Sequence, residues 1–109
     1  MIIRFEDSKI KTFPNFKGGE KEVRAQIDEY GMGRTIYGRL IPGASIGLHT
    51  HDTSSEIIYM LEGAGKVLYD GEYLPFKAGE CHVCQKGHAH SLINSGDTDL
   101  VFFAVVPEQ

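Results

Sequence analysis

Apolar residues in this chain fall into short runs. "GRTIYGRLIP", "IGLHTH", "EIIYMLEG", "GKVLYD", "EYLPF", "ECHVC", "HSLIN" and "DLVFFAVV" are rich in Ile, Val, Leu, Tyr and Phe, and thirteen glycines and four prolines punctuate the sequence at short intervals. Runs of this length bounded by turn residues are strand signals. Only "GGEKEVRAQIDEY" offers a helix, and its Val23, Ala25 and Ile27 recur at every second position, which fits a strand with one buried face. Asp70-Gly71, between "KVLY" and "EYLPF", is a two-residue hairpin signal, and Ser95-Gly96-Asp97 supplies a turn before "DLVFFAVV". At least eight short strands with no internal repeat predict an all-β domain with a closed or double-layered antiparallel architecture, which deals with exposed edges. A jelly roll is the leading choice. Residues 1–20 form a less regular N-terminal arm, in which Ile2, Ile3 and Phe5 are candidates for a strand that joins this sheet or a second copy's.

A chain of 109 residues has room for one domain, here residues 1–109, and buries a little under ~70% of its unfolded surface without needing staples. The net charge of −4 comes with Lys and Arg spread along the chain, so no basic cluster tracks a phosphate backbone and nucleic acid is excluded as an expected partner. The start, "MIIRFEDSKIKTF", breaks its apolar residues with charge every few positions, and no run is long enough to span a bilayer. The expected location is cytoplasmic, away from membranes. Cys81 and Cys84 share the spacing of redox and zinc motifs, but in a strand they point to opposite faces about 10 Å apart, beyond the ~7 Å reach of a disulfide. Both are expected to be free thiols in a reducing compartment.

The candidate chemistry lies in "HTHDTSSE". Within a strand His49 and His51 project from one face, so two imidazoles can converge on one ion. Glu56 opens the next strand after the turn "DTSS", and an antiparallel return brings its carboxylate beside them. His90, in "GHAHSLIN", is the fourth candidate. Three imidazoles and a carboxylate suit a divalent transition metal, Mn, Fe, Co, Ni or Zn, and suit Ca or Mg less.

These residues carry a family resemblance. From Gly43, the series Gly, His49, His51, Glu56 and Gly63 resembles the first motif of the cupin superfamily, and from Gly79 the series Gly, Gln85, Gly87, His90 and Asn94 resembles the second. The one departure is Gln85, where proline is usual, which touches a turn and not a ligand. The resemblance implies a small jelly-roll barrel, also called a double-stranded β-helix, in a single-domain protein with ligands His49, His51, Glu56 and His90. It implies no single reaction, because dioxygenases, decarboxylases, isomerases, lyases, sugar-binding modules and seed storage proteins share that scaffold.

By parity, Ile58, Met60 and Leu92 face the barrel interior and line an apolar pocket. His88 is expected at the rim, and His82 and Cys84 as strand filler. Tyr37 and Arg39 share a face, where Arg39 either clamps a substrate carboxylate or, as expected here, points to solvent. Four protein ligands leave two positions of an octahedral ion open. That predicts a small metalloenzyme acting on an organic acid or sugar-like substrate, or, as the alternative, a non-catalytic module holding such a ligand. A storage role ranks third. The resemblance also implies a homodimer through exchange of N-terminal strands, and closed two-fold pairing is the commonest oligomer.

Overall fold

The computed structural model describes residues 1–109. Ten strands follow in order: β1 (Lys11–Pro14), β2 (Glu22–Tyr30), β3 (Gly33–Leu40), β4 (Ser45–Thr50), β5 (Glu56–Glu62), β6 (Ala64–Tyr69), β7 (Glu72–Lys77), β8 (Cys81–Cys84), β9 (Ala89–Ile93) and β10 (Leu100–Pro107). They pair antiparallel in two sheets, one ordered β1-β2-β3-β10-β5-β8 and the other β4-β9-β6-β7. This is the double-stranded β-helix that the resemblance implies, and the double-layered antiparallel architecture that the strand rhythm predicts.

The alternation of each strand decides what fills the space between the sheets. Leu100, Phe102, Ala104 and Val106 of β10 are fully buried, as are Leu40 of β3, Met60 of β5 and, nearly so, Leu92 of β9. Phe102 sits in register with Gly38 on one side and Met60 on the other. A Cβ at Gly38 would lie 2.5 Å from the Phe102 ring, so the missing side chain is the space that the ring occupies.

The turns follow their sequence signals. Asp70 and Gly71 have φ of 49° and 85°, the pair of left-handed residues that a tight hairpin needs, and they join β6 to β7 with Tyr69 opposite Glu72. Asn94, almost fully buried, donates to the carbonyls of Leu40 and Thr98 and accepts from Gly96 N–H, which fixes the turn before β10. The doubtful "GGEKEVRAQIDEY" contains β2. Cys81 is exposed, Cys84 buried, and neither is bridged. No helix is long and apolar enough to cross a membrane.

This chain's own sheet takes no strand from the start of the arm. No strand forms over Ile2, Ile3 and Phe5; the arm's strand is β1, which pairs with β2. Phe5 instead stacks on Tyr37, with centroids 5.0 Å apart, and meets Phe103 edge-on at 5.7 Å. Aromatic pairs at these separations are worth about 0.5–1.5 kcal/mol beyond the area they bury, which holds the ring on the outer face of its own sheet.

Replacing Phe102 with Ala empties the centre of this packing and is expected to cost about 3–5 kcal/mol, a large share of the stability of a domain this size. Urea denaturation of the two proteins at equal slope checks it; a loss under about 1 kcal/mol would mean that the core collapses around the gap.

Candidate metal centre

The site begins with an irregularity in β4. Ile46 pairs with Leu92 and His49 with His90, so β4 spends three residues where β9 spends two. The extra residue is a β-bulge, which re-aims the chain so that Ile46 and His49 both face inward while Leu48 is thrown out to 59% exposure. Strict alternation could not place Ile46 and His49 on one face. The strand ends at Thr50, and His51 lies beyond it. His51 is held instead by backbone bonds to the Gln85–His88 turn, its N–H donating to His88 O at 3.0 Å and its carbonyl accepting from Gly87 N–H at 2.6 Å. Gln85 closes that turn by accepting from His88 N–H at 3.0 Å, so the departure from proline costs it no turn.

All four candidate ligands converge. His51 Nε2 lies 3.1 Å from Glu56 Oε1 and 3.0 Å from His90 Nε2; His90 Nε2 lies 2.9 Å and His49 Nε2 4.0 Å from the same carboxylate oxygen. One donor atom from each falls within 4.8 Å of every other. Donors about 2.0–2.2 Å from a shared ion stand about 3 Å apart when adjacent and about 4 Å when opposite, so the closer pairs already have the spacing of one transition ion and the widest pair would draw in by a few tenths of an ångström on binding it. Glu56, His51 and His90 are buried and His49 is half-buried.

The outer nitrogens are also occupied. His49 Nδ1–H donates to Gly47 O at 2.7 Å, which leaves Nε2 as the free lone pair. His51 Nδ1 pairs with Ser54 Oγ at 2.9 Å. His90 Nδ1 lies 3.0 Å from Nε2 of His82, a buried side chain on β8. His82 is therefore no mere filler: it orients a candidate ligand from the opposite sheet. Its signal was available, since the pattern of "CHVC" puts His82 inward with Cys84 and leaves Cys81 and Val83 outside.

Beside the cluster lies a small cavity, about 20 Å³, bordered by His49, Glu56 and His90, by Ile58 and Leu92, and by Phe16, Lys17 and Arg34. Met60 is buried deeper and does not border it. Arg34 and Lys17 escaped the sequence reading, although Arg34 alternates with Ile36 and Leu40 on the inward face of β3. Larger grooves lie elsewhere. One of about 460 Å³ on the outer face of β2 and β3 contains Arg24 and Arg39, already paired with Glu22 and Asp99 at 3.2 and 3.0 Å. Arg39 thus faces solvent. His88, half-exposed, pairs with Asp70 at the barrel rim and draws that carboxyl below its usual range.

Burial favours the neutral form of His49 and His82, and neutral imidazole is the form that metals require. It lowers His49 against the pull of the Gly47 hydrogen bond, and with the nearby His90 it brings His82 down to about 4. Burial alone would raise the Glu56 carboxyl, but hydrogen bonds from His51 and His90 outweigh it and hold it at about 2. An unfolded His82 takes up its proton near pH 6.5 and the folded one near 4, so between those values the unfolded chain binds more protons. Glu56 prolongs the effect from pH 4.5 downward. Metal-free protein is expected to lose stability progressively as pH falls from 6.5 to 4, with a shallower slope in His82→Gln. Urea titrations across that range check it; identical slopes would locate the linkage in other groups.

The comparisons agree with this geometry. The family model described as "Cupin domain" matches residues 37–106, a span that contains all four candidate ligands. An oxalate-binding protein of Thermotoga maritima is 35% identical over 112 residues, covering 97% of this chain and 93% of the relative. A solved structure from the same organism, a predicted oxalate decarboxylase, superposes with a TM-score of 0.93 at 33% identity over the whole of both chains. A cupin 2 conserved barrel domain protein of Salinispora arenicola follows at a TM-score of 0.77 and 26% identity, covering 97% of this chain and 87% of that one. With a family match over more than half its length and two sheets closed around a His/Glu cluster, this chain belongs to the cupin family.

Proposed function

We propose that this protein holds one divalent transition metal through His49, His51, Glu56 and His90 and binds a small chelating organic acid, of which oxalate is the type. The observation that carries the reading is the convergence of those four donor groups beside a cavity of about 20 Å³. A cavity of that volume holds about one water, so it marks an opening beside the donors, and a chelating acid would take the open positions of the ion itself. The oxalate-binding relative supports the same class. Mn, Fe, Co, Ni and Zn all suit the donor set. When bound, such an ion supplies Lewis acidity and, for Fe or Mn, access to redox chemistry.

Binding without turnover is favoured by the cavity wall. Glu56 is its only carboxylate, and as a ligand it is not free to shuttle protons. The second reading, a metalloenzyme such as a decarboxylase, draws its support from the solved relative's name. A cytoplasmic location suits the two free thiols.

A homodimer belongs to the same reading, through sheet faces in place of exchanged strands. On the outer face, Ile57 lies opposite Val105 and Val83, and Tyr59 opposite Phe103 and Cys81. Ile57, Tyr59, Leu61 and Val83 are 41–47% exposed, a contiguous apolar surface of the kind that marks an interface.

Elemental analysis after dialysis is expected to find one metal per chain and a loss of most of it in His51→Ala and His90→Ala; full occupancy in either variant would overturn the ligand set. The Co(II) form is expected to change its absorption saturably with oxalate, and to lose the response on acidification, because protons compete with the ion for the imidazole nitrogens. A flat spectrum in metal-loaded protein would defeat the binding role. Light scattering at micromolar concentration is expected to give the dimer mass, and a monomer would reject the pairing.

A further inference from the structure

We infer that Arg34 and Lys17 form a cationic clamp that reads the second negative charge of the ligand, so that the site selects dicarboxylates over chelating monocarboxylates. The inference rests on the organic-acid reading above and narrows it to a charge class.

Arg34 stands on the wrong face for an ordinary surface cation. It alternates with Ile36, Gly38 and Leu40 on the side of β3 that packs against the core, and it borders the cavity half-buried. A cation drawn partly out of water gains from an anionic partner. Here Arg34 takes part in no ion pair, and Glu29, its cross-strand neighbour on β2, stays beyond 4.0 Å.

Lys17 comes from a strap, residues 15–21, that crosses the mouth of the barrel. Asn15, Lys17 and Lys21 all adopt left-handed φ, 49°, 56° and 55°, a concentration of unfavourable conformations that clusters at functional sites. The strap is pressed onto β4 where both backbones are bare. A Cβ on Gly47 would lie 2.0 Å from Lys17 O, and one on Gly19 2.1 Å from Ser45 O. Ser45 fastens it further, its hydroxyl accepting from Glu20 N–H at 2.9 Å and its N–H donating to Glu20 O at 3.0 Å. Gly47 O also accepts the hydrogen bond of His49. One backbone contact thus positions a candidate ligand and the cation beside it.

Charge explains why cations belong there. A divalent ion with the Glu56 carboxylate and three neutral imidazoles carries one net positive charge. A monoanionic chelator neutralises it; a dianion leaves one negative charge in a cavity otherwise walled by Ile36, Ile46, Ile58 and Leu92. A buried charge is tolerated only when paired. Arg34, half-buried, and Lys17, exposed with its ammonium 5.7 Å from the centre of the Phe16 ring, are the cations bordering the cavity that can pair it.

The test is calorimetric titration of Co(II)-loaded protein with oxalate, the dianion, and with pyruvate, a monoanionic chelator, after metal content has been matched between variants. Arg34→Met is expected to weaken oxalate about 10- to 100-fold, the usual worth of a charge-assisted hydrogen bond, and pyruvate less than about 3-fold. Lys17→Gly is expected to weaken oxalate about 3- to 10-fold while unfolding at the same or a higher urea concentration, because glycine relaxes the left-handed backbone. Equal losses for both acids, or oxalate binding unchanged in both variants, would overturn the clamp while leaving the organic-acid site intact. Failure of wild-type protein to bind either acid would overturn the organic-acid reading itself and the clamp with it.

Discussion

Burying one carboxylate among three imidazoles between two apolar sheets is the constraint around which this molecule is arranged. Charged groups leave water only at a cost of several kcal/mol unless partners are waiting. Here every buried side-chain polar atom has one. Gly47 O, Ser54 Oγ and His82 Nε2 hold the outer nitrogens, and the inner nitrogens converge on Glu56. The bulge in β4, the turn at 85–88 and the inward face of β8 can be read as the scaffolding of that arrangement. The hydrophobic core, with Phe102 seated against Gly38, supplies the stability that lets such a polar group exist inside.

Much of this was legible in the chain. Short β-branched and aromatic runs, broken by glycine, specify two antiparallel sheets, because alternation decides which residues face the core and hairpin residues decide where strands return. Asp70-Gly71 fixed its hairpin through backbone conformations that few other pairs adopt easily. The four candidate ligands were legible for a different reason: imidazole and carboxylate at those spacings have few other reasons to gather.

What the sequence withheld follows from its local nature. Parity counting assumes an unbroken strand, and β4 is broken, so Ile46 and His49 share a face that counting assigns to only one of them. His51 is fixed by a turn more than thirty residues away. The pattern of "CHVC" could turn His82 inward, but its role depends on His90 arriving from the other sheet. The position of Phe5 on Tyr37 and Phe103 likewise depends on an outer face that exists only after β3 and β10 have paired. The bulge is a local break that period cannot show, and the other misses concern contacts between distant segments.

The four candidate ligands do not belong to one sheet. His49 and His90 stand on β4 and β9, Glu56 stands on β5 of the opposite sheet, and His51 lies on the connection between them. An ion held by all four therefore works as a rivet through both walls of the barrel, and His82 reaching across to His90 lies beside it as a second tie. The sheets could not part at that end without undoing the coordination, and the coordination could not be undone without loosening the sheets. Exchange of the ion with solution and breathing of the barrel would then be one motion, so residence time at the centre would be set by how often the walls separate.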